Sequence, residues 1–199
     1  MKRKNRRNIK AVVNEPPIVQ YKGNITVVEN PDQINDIVEK LLECDILGFD
    51  TETKPAFVKG EKNKIALLQI CSETGAFLFR INKTGFHPAL INLLEKESVL
   101  KIGVAIRDDL LGLQKIQQFQ PGGFIDLQEL APKYGISTIS LKGLAAEVLN
   151  QRISKRQQTS NWEADNLRQA QILYAATDAW VALSIYKKLI NIINPDHSE

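Results

Sequence analysis

The stretch that decides the fold spans residues 46–53 and reads Ile-Leu-Gly-Phe-Asp-Thr-Glu-Thr. Its apolar start predicts a buried strand that ends in two acidic residues, Asp50 and Glu52. Side chains alternate along a strand, so residues two apart share a face. Neighbouring carboxylates repel unless a cation or a shared proton lies between them, and hard oxygen ligands favour Mg²⁺ or Mn²⁺. The stretch therefore predicts a metal site or, alternatively, a solvated acidic turn at a strand end.

The composition is typical of one globular domain whose chemistry relies on carboxylates. The 199 residues are 43% hydrophobic and 25% charged, with no apolar run that would span a bilayer and no secretory signal. With only two cysteines and two histidines, the sequence offers few ligands for a zinc site and few candidates for a Ser-His-Asp arrangement. Cys44 and Cys71 lie in apolar contexts and predict reduced, buried thiols, so we expect a cytoplasmic protein without membrane association.

The net charge of +3 conceals a strongly basic N-terminus. Six of the 26 Lys and Arg residues fall within residues 1–10, which leaves 20 bases against 23 acids in the rest of the chain. Such a charge run predicts a basic, partly disordered arm, which we assign to residues 1–22. The arm attracts nucleic-acid phosphate or only keeps the protein in solution. Residues 23–192 form the predicted domain, and residues 193–199 form a C-terminal tail.

The order of the predicted elements indicates an α/β fold with a mixed central sheet flanked by helices. Strands are predicted at residues 25–28, 46–51, 64–70 and 76–81, before helices that alternate with strands near 99–104 and 124–127. Consecutive strands in the middle of this order predict an antiparallel start to the sheet. A long helix at residues 167–192 completes an α/β sandwich. The loop after the acidic strand either suits a polyanionic substrate or is an ordinary solvated hairpin loop. It carries Lys54, Lys59, Lys62 and Lys64.

Two further acidic positions lie far along the chain. Asp108 and Asp109 follow a predicted strand where the next helix starts, which is also a common position for aspartate in any helix. Tyr174 and Asp178 are four residues apart and so share one face of the last helix. The small residues between and beside them let this helix approach its neighbour closely. Taken alone, the pair is equally compatible with a buried Tyr and an exposed Asp.

Together these positions resemble the three exonuclease motifs of the DEDD superfamily, in its tyrosine-containing branch. The second motif reads Lys101-Ile-Gly-Val-Ala-Ile-Arg-Asp-Asp and places Asp109 at its acidic position. The third reads Leu173-Tyr-Ala-Ala-Thr-Asp-Ala, with Ser160-Asn-Trp-Glu upstream, and residues 66–70, Ala-Leu-Leu-Gln-Ile, resemble the second strand of the family. The resemblance covers about residues 23–192. It is strongest to the group that contains the exonuclease domain of the Werner-syndrome helicase and its stand-alone bacterial relatives.

The resemblance implies an RNase H-like fold and a 3′→5′ exonuclease that uses two divalent ions, Mg²⁺ or Mn²⁺. Two such ions about 3.5–4 Å apart can hold both the attacking and the leaving oxygen of a phosphodiester. Four carboxylates would balance the four positive charges of the ions, and Tyr174 would orient the attacking water. The implied metal ligands are Asp50, Glu52, Asp109 and Asp178.

Further residues are predicted to contact the nucleic acid. A basic cluster lies just before the third motif, and backbone contacts from it would make binding salt-dependent. Trp162, which follows that cluster, either stacks on a base or packs in the core. The remaining predicted substrate contacts are Thr51, Thr53, Lys142, Arg152, Lys155 and Arg156.

The choice between DNA and RNA remains open at this stage. Ribonuclease D proteins usually carry extra helical domains, and this chain ends soon after its last motif helix, which favours DNA. RNA 3′-end trimming is the alternative, and a non-catalytic nucleic-acid-binding module on the same fold is a further one, although no acidic position of the motifs is missing. A helicase or a polymerase is a possible partner, and the oligomeric state is not indicated.

Overall fold

A six-stranded mixed sheet forms the centre of the chain in the computed structural model, which describes residues 15–56 and 63–193. The strands are β1 (Ile25–Val28), β2 (Ile46–Thr53), β3 (Ile65–Cys71), β4 (Ala76–Phe79), β5 (Leu100–Gly103) and β6 (Phe124–Asp126). The α-helices are α1 (Ile34–Leu42), α2 (Ile81–Thr84), α3 (Pro88–Glu95), α4 (Ile106–Gln114), α5 (Leu127–Leu130), α6 (Leu141–Leu149) and α7 (Gln169–Ile193). Short 3₁₀ turns cover Pro31–Gln33 and Ala131–Tyr134. The basic residues at positions 2–10, Lys59, Lys62 and the last residues of the predicted tail lie outside the described ranges.

The strand order confirms the predicted mixed sheet. It runs β1-β4-β3-β2-β5-β6, so the acidic strand β2 is central. Strands β2, β3 and β4 pair antiparallel in sequence, as the consecutive strand signals predicted. The pairs β1–β4, β2–β5 and β5–β6 are parallel. Strand β2 therefore pairs with β3 on one side and with β5 on the other, and its carboxyl end extends beyond the pairing with β5.

Helices cover both faces of the sheet. On one face, the apolar residues of β2, β3 and β4 pack against α1 and α3 in the largest cluster of buried residues. On the other face, the long helix α7 packs against the sheet with α6 beside it. Among the helices of the described residues, none is both long and apolar enough to cross a bilayer.

Helix α7 lies unusually close to β2, and small residues make this approach possible. Ala175, Ala176 and Ala179 of α7 are fully buried against the sheet. A Cβ atom at position 48 would overlap the carbonyl group of Ala179, so Gly48 is required by the packing of β2 against α7. This contact brings the middle of α7 next to the carboxyl end of β2. The predicted close approach of the last helix is confirmed.

The segment before β1 is attached to the domain near α7. Ile18 forms a parallel bridge with Arg152, and the backbone N–H of Val19 donates to the carbonyl of Arg152 at 2.8 Å. Further on, the N–H of Tyr21 donates to the Thr177 hydroxyl at 3.0 Å. We call residues 16–21 the N-terminal strap. The described part of the predicted arm thus contacts the domain along the side of α7.

Candidate active site

Three carboxylates from two distant segments of the chain meet where β2 ends against α7. Oxygen atoms of Asp50, Glu52 and Asp178 all lie within 4.8 Å of one another. The alternation along β2 points Asp50 and Glu52 to the same face, and the close packing of α7 brings Asp178 onto it. Three hard oxygen donors at this spacing fit a divalent cation of the Mg²⁺ or Mn²⁺ type. The side-chain atom Oδ1 of Asp178 is buried without a hydrogen-bond partner, which leaves it free to be a ligand.

The fourth predicted ligand, Asp109, lies next to this group and is held there by two side chains. The Thr51 hydroxyl donates a hydrogen bond to Oδ1 of Asp109. Asp109 belongs to the first turn of α4, which begins after the left-handed residue Ala105, whose φ is 58°. The carboxylate of Asp126 accepts hydrogen bonds from the N–H groups of Ala105 and Ile106, at 3.0 and 3.1 Å. Asp126 thus fixes the turn that presents Asp109.

Sequence reasoning missed the role of Asp126. This residue ends β6 and also accepts a hydrogen bond from the N–H of Gln128, so it caps α5 as well. A signal was present, because an Asp between a short strand and a helix is a favoured N-cap. The contact with the start of α4 carried no such signal, since it joins segments about 20 residues apart.

The crowding of acids in a buried site raises their pKa values. For Asp50, burial raises the pKa well above the usual range, and the charges of Asp178 and Asp109 add to the effect. Burial also raises the pKa of Glu52. The pKa of Asp178 rises to about 7 through burial, although contact with Tyr174 and the charge of Lys155 act in the opposite direction. Without a cation these acids hold protons, so metal binding would release protons from the site.

Tyr174 lies in the same cluster, one helical turn before Asp178. Burial raises the pKa of its phenol far above the ordinary value, and the nearby charges of Asp178 and Glu52 raise it further. The Tyr174 ring also packs at a tilt against Trp162, with 6.0 Å between the ring centroids. The phenol therefore stays protonated and can donate a hydrogen bond, while it cannot serve as a general base near neutral pH.

Two adjoining cavities open onto this cluster. The first has a volume of about 330 Å³ and is lined by the acids of β2, by Tyr174 and Asp178, and by Lys142 and Lys155. The second, of about 220 Å³, also reaches Tyr174 and Asp178, and it is lined by Arg156 and by strap residues Val19 and Gln20. Ser154 lines both cavities and was not predicted. Three of the four predicted basic residues therefore line the cavities beside the acids.

Arg152 does not line either cavity. Its guanidinium donates to the carbonyl of Pro16 at 2.7 Å and pairs with the carboxylate of Glu15. The backbone N–H of Arg152 donates to the carbonyl of Pro17 at 2.8 Å. The structure thus assigns this arginine to the N-terminal strap, in contrast to the predicted contact with nucleic acid.

Trp162 is fully buried, with Ala66, Leu67, Leu78 and Ala175 in the same cluster. Of the two alternatives, the structure supports core packing, because a base has no access to the ring.

The remaining predicted contacts near β2 differ in position. Thr51 lines the first cavity but uses its hydroxyl to hold Asp109. Thr53 is exposed after a bulge that shifts the register between Glu52 and Thr53. Lys54 pairs with Glu163 at 3.7 Å. Of the predicted lysine loop, the structure therefore describes only one lysine at the strand end and the exposed Lys64.

Comparison with known proteins places the chain in a family. Residues 25–194 match the family model described as 3′-5′ exonuclease. The chain is 33% identical over 186 residues to the Mus musculus bifunctional 3′-5′ exonuclease/ATP-dependent helicase WRN, over 88% of this chain and 13% of that protein. It is 35% identical over 168 residues to exonuclease 3′-5′ domain-containing protein 2 of Drosophila melanogaster, over 82% of this chain and 28% of that one.

Solved structures share the fold. The Aedes aegypti Nibbler EXO domain matches with a TM-score of 0.78 and 23% identity, over 87% of this chain and 94% of that one. Escherichia coli RNase D matches with a TM-score of 0.76 and 22% identity, over 84% of this chain and 44% of that one.

The chain belongs to the 3′-5′ exonuclease family, as the family match and the sequence identities show. Its fold is the RNase H-like exonuclease fold of the structural relatives. The resemblance inferred from the three motifs is therefore confirmed. The chain spans less than a third of the length of the two sequence relatives named above, at 13% and 28%.

Proposed function

We propose that this chain is a two-metal 3′→5′ exonuclease that hydrolyses phosphodiester bonds from the 3′ end of DNA and releases nucleoside monophosphates. The observation that carries the proposal is the meeting of Asp50, Glu52 and Asp178 within 4.8 Å, with Asp109 held beside them. Membership of the exonuclease family supports the reaction class. The four motif acids that this chain keeps argue against a non-catalytic binding module.

The carboxylates would hold two divalent ions, Mg²⁺ or Mn²⁺. Bound there, the ions would supply Lewis acidity and lower the pKa of a coordinated water. The protein's own contribution is to gather the ligands from β2, α4 and α7 and to exclude bulk water around them. Asp178, which is 5% exposed, and the half-buried acids of β2 provide ligands in a setting where charge interactions are strong.

Tyr174 and Lys155 complete the proposed chemistry. The protonated phenol of Tyr174 orients the attacking water by a hydrogen bond, and its raised pKa keeps it a donor throughout the neutral range. Lys155 lines the first cavity with Asp178 and lowers the pKa of that acid. Its ammonium group can also meet the charge of a phosphate between the two. Lys142, which is exposed at the rim of the same cavity, extends this positive surface.

DNA is the proposed substrate because the sequence resembles the Werner-type group and the chain is 33% identical to the mouse helicase-exonuclease WRN. RNA is the second candidate. Escherichia coli RNase D, which shares the fold, is an exoribonuclease involved in structured RNA processing. A helicase or a polymerase would be a fitting partner for the DNA reaction. A cytoplasmic location fits the two cysteines, both of which are free thiols.

The first experiment is digestion of 3′- and 5′-labelled single-stranded DNA, recessed duplex DNA and RNA, with Mg²⁺ and Mn²⁺ compared. We expect stepwise shortening of 5′-labelled DNA and early release of the label from 3′-labelled DNA. The variant Asp50→Asn should be inactive, while Asp108→Asn serves as its control because Asp108 is exposed beside the site. Full activity of Asp50→Asn, or of the wild type in excess chelator, would refute the proposal.

A second experiment tests the basic rim of the cavities. We expect Lys155→Ala combined with Arg156→Ala to reduce the salt dependence of DNA binding, because each lost phosphate contact lowers the slope by nearly one. The matched control is Arg152→Ala, which removes a charge from the same segment at a side chain that lines neither cavity. It should leave the salt slope unchanged and destabilise the strap. Equal slopes for the double variant and the wild type would show that the rim does not contact the backbone.

A further inference from the structure

Gln69 lies in the middle of β3. Among the described residues, it is the one buried glutamine or asparagine whose amide oxygen and amide nitrogen both lack a hydrogen-bond partner. The residue is fully buried. An amide taken out of water without new partners lowers the stability of the fold. Such a group in a native structure calls for a physical reason.

The strand register places this amide beside the carboxylate cluster. Gln69 pairs directly opposite Asp50 in the antiparallel ladder of β2 and β3. Residues directly opposite one another project to the same face of a sheet, with Cβ atoms about 4.5–5.5 Å apart. That face is the one covered by α7, because Asp50 meets Asp178 there. A glutamine side chain is long enough to reach the Asp50 carboxylate from this position.

Packing alone would favour an apolar residue at this position. Leu78 is the partner of Gln69 on β4, and Leu67 precedes it by two residues on the same face of β3. Both leucines are fully buried in one cluster with Ala175 of α7. A leucine or methionine at position 69 would extend this cluster without placing an unpaired amide in it.

We propose that Gln69 is a positioning residue: its amide, which has no partner in this structure, turns to donate a hydrogen bond to the Asp50 carboxylate when a divalent cation is bound, and so holds that carboxylate in the orientation that binds the ion. This inference rests on the proposed function. One carboxylate oxygen of Asp50, Oδ1, already accepts a hydrogen bond from the backbone N–H of Thr51 at 2.9 Å. A donor at the remaining oxygen would fix the rotation of the carboxyl group. Residues that orient metal ligands in this way typically contribute about 10–100-fold to metal affinity.

The chain offers a matched control for this proposal. Gln171 is also a buried glutamine, at 2% exposure, but both ends of its amide are used. Its oxygen accepts from the N–H of Arg168 at 3.1 Å, and its nitrogen donates to the carbonyl of Asn161 at 3.1 Å. Replacing each glutamine by leucine therefore compares two effects: the loss of an unpaired amide beside the acids and the loss of a paired amide away from them.

The experiment measures the affinity for Mn²⁺ by isothermal titration and the Tm in chelator. For Gln69→Leu we expect Mn²⁺ binding to weaken by about tenfold or more and the metal-free Tm to rise by about 2–4 °C. For Gln171→Leu we expect the Tm to fall and the Mn²⁺ affinity to stay unchanged. Gln69→Met, which keeps the volume and flexibility of the side chain, should behave as Gln69→Leu does.

Two results would overturn the inference. A Mn²⁺ affinity of Gln69→Leu and Gln69→Met equal to that of the wild type would show that the amide does not orient a ligand. A lower Tm in chelator for both variants would show that the amide stabilises the metal-free fold instead. Failure of the proposed function is distinguishable, since the wild type itself would then neither bind Mn²⁺ nor cleave DNA.

Discussion

The substitution Asp178→Asn should stabilise the metal-free protein while abolishing its response to metal. Asp178 is buried next to Asp50 and Glu52, and burial raises its pKa from 3.8 to about 7. Each unit of pKa corresponds to about 1.4 kcal/mol, so forcing this acid to ionise above pH 7 costs up to about 4 kcal/mol. Asparagine has nearly the same shape and never ionises.

The expected gain is smaller than this upper limit. The acids of the wild-type cluster titrate together and share protons, so folding does not require all of them to be ionised at once. The wild type therefore avoids part of this cost. We therefore expect a gain of about 2 kcal/mol at pH 7.5, which for a chain of this size is a rise in Tm of roughly 4–8 °C.

Thermal unfolding followed by circular dichroism, in chelator and in Mn²⁺, tests this expectation. Mn²⁺ should raise the Tm of the wild type, because an ion that binds only the folded state stabilises it. It should not raise the Tm of Asp178→Asn. The exposed control Asp108→Asn should match the wild type in both conditions. A lower Tm of Asp178→Asn in chelator, or an undiminished response to Mn²⁺, would refute the reasoning.

Three further predictions concern the pH dependence and the neighbours of the cluster. The stability difference between Asp178→Asn and the wild type in chelator should narrow as the pH falls from 7 towards 4. The raised pKa of Asp178 in the folded state adds stability that is complete below the unfolded pKa of 3.8 and is lost as the pH rises to the folded pKa of about 7. A difference independent of pH in urea unfolding would contradict this. Asp126→Ala should lower the free energy of unfolding by about 2–4 kcal/mol, because three backbone N–H groups lose their acceptor. The same variant should weaken Mn²⁺ binding, because the turn that presents Asp109 is no longer held. Unchanged urea unfolding would show that this carboxylate does not hold the turn. Tyr174→Phe should lower kcat by about 10²-fold and leave the Mn²⁺ affinity unchanged, since it removes a positioning group and no metal ligand. A loss of Mn²⁺ affinity in titration would show instead that the phenol is part of the metal site.

Local patterns in the sequence predicted most of the elements and the centre of the site. The apolar run before Asp50 became the central strand. Capping is equally local: Asn30 and His87, each followed by proline, accept a backbone N–H at the start of a helical turn. These signals depend on neighbours along the chain, so they can be evaluated without a fold. The acids of the three motifs were identified for a different reason, namely their order and spacing in a known family.

Contacts between distant segments were decided by the tertiary structure. The sequence shows Arg152 and Lys155 as members of one basic cluster, yet the first binds the N-terminal strap and the second lines the cavity with Asp178. Likewise, nothing local indicates that Asp126 holds the start of α4, or that Gln69 lies opposite Asp50.

The physical reason is the range of the interactions involved. Periodicity and capping are set within a few residues, so the sequence by itself determines which segments are strands and helices and which acids end them. The direction of a charged side chain depends on the free energy of packing segments that are far apart in the sequence. Only the folded structure determined that Gly48 lets α7 approach β2, and this approach is what gathers the acids into one site.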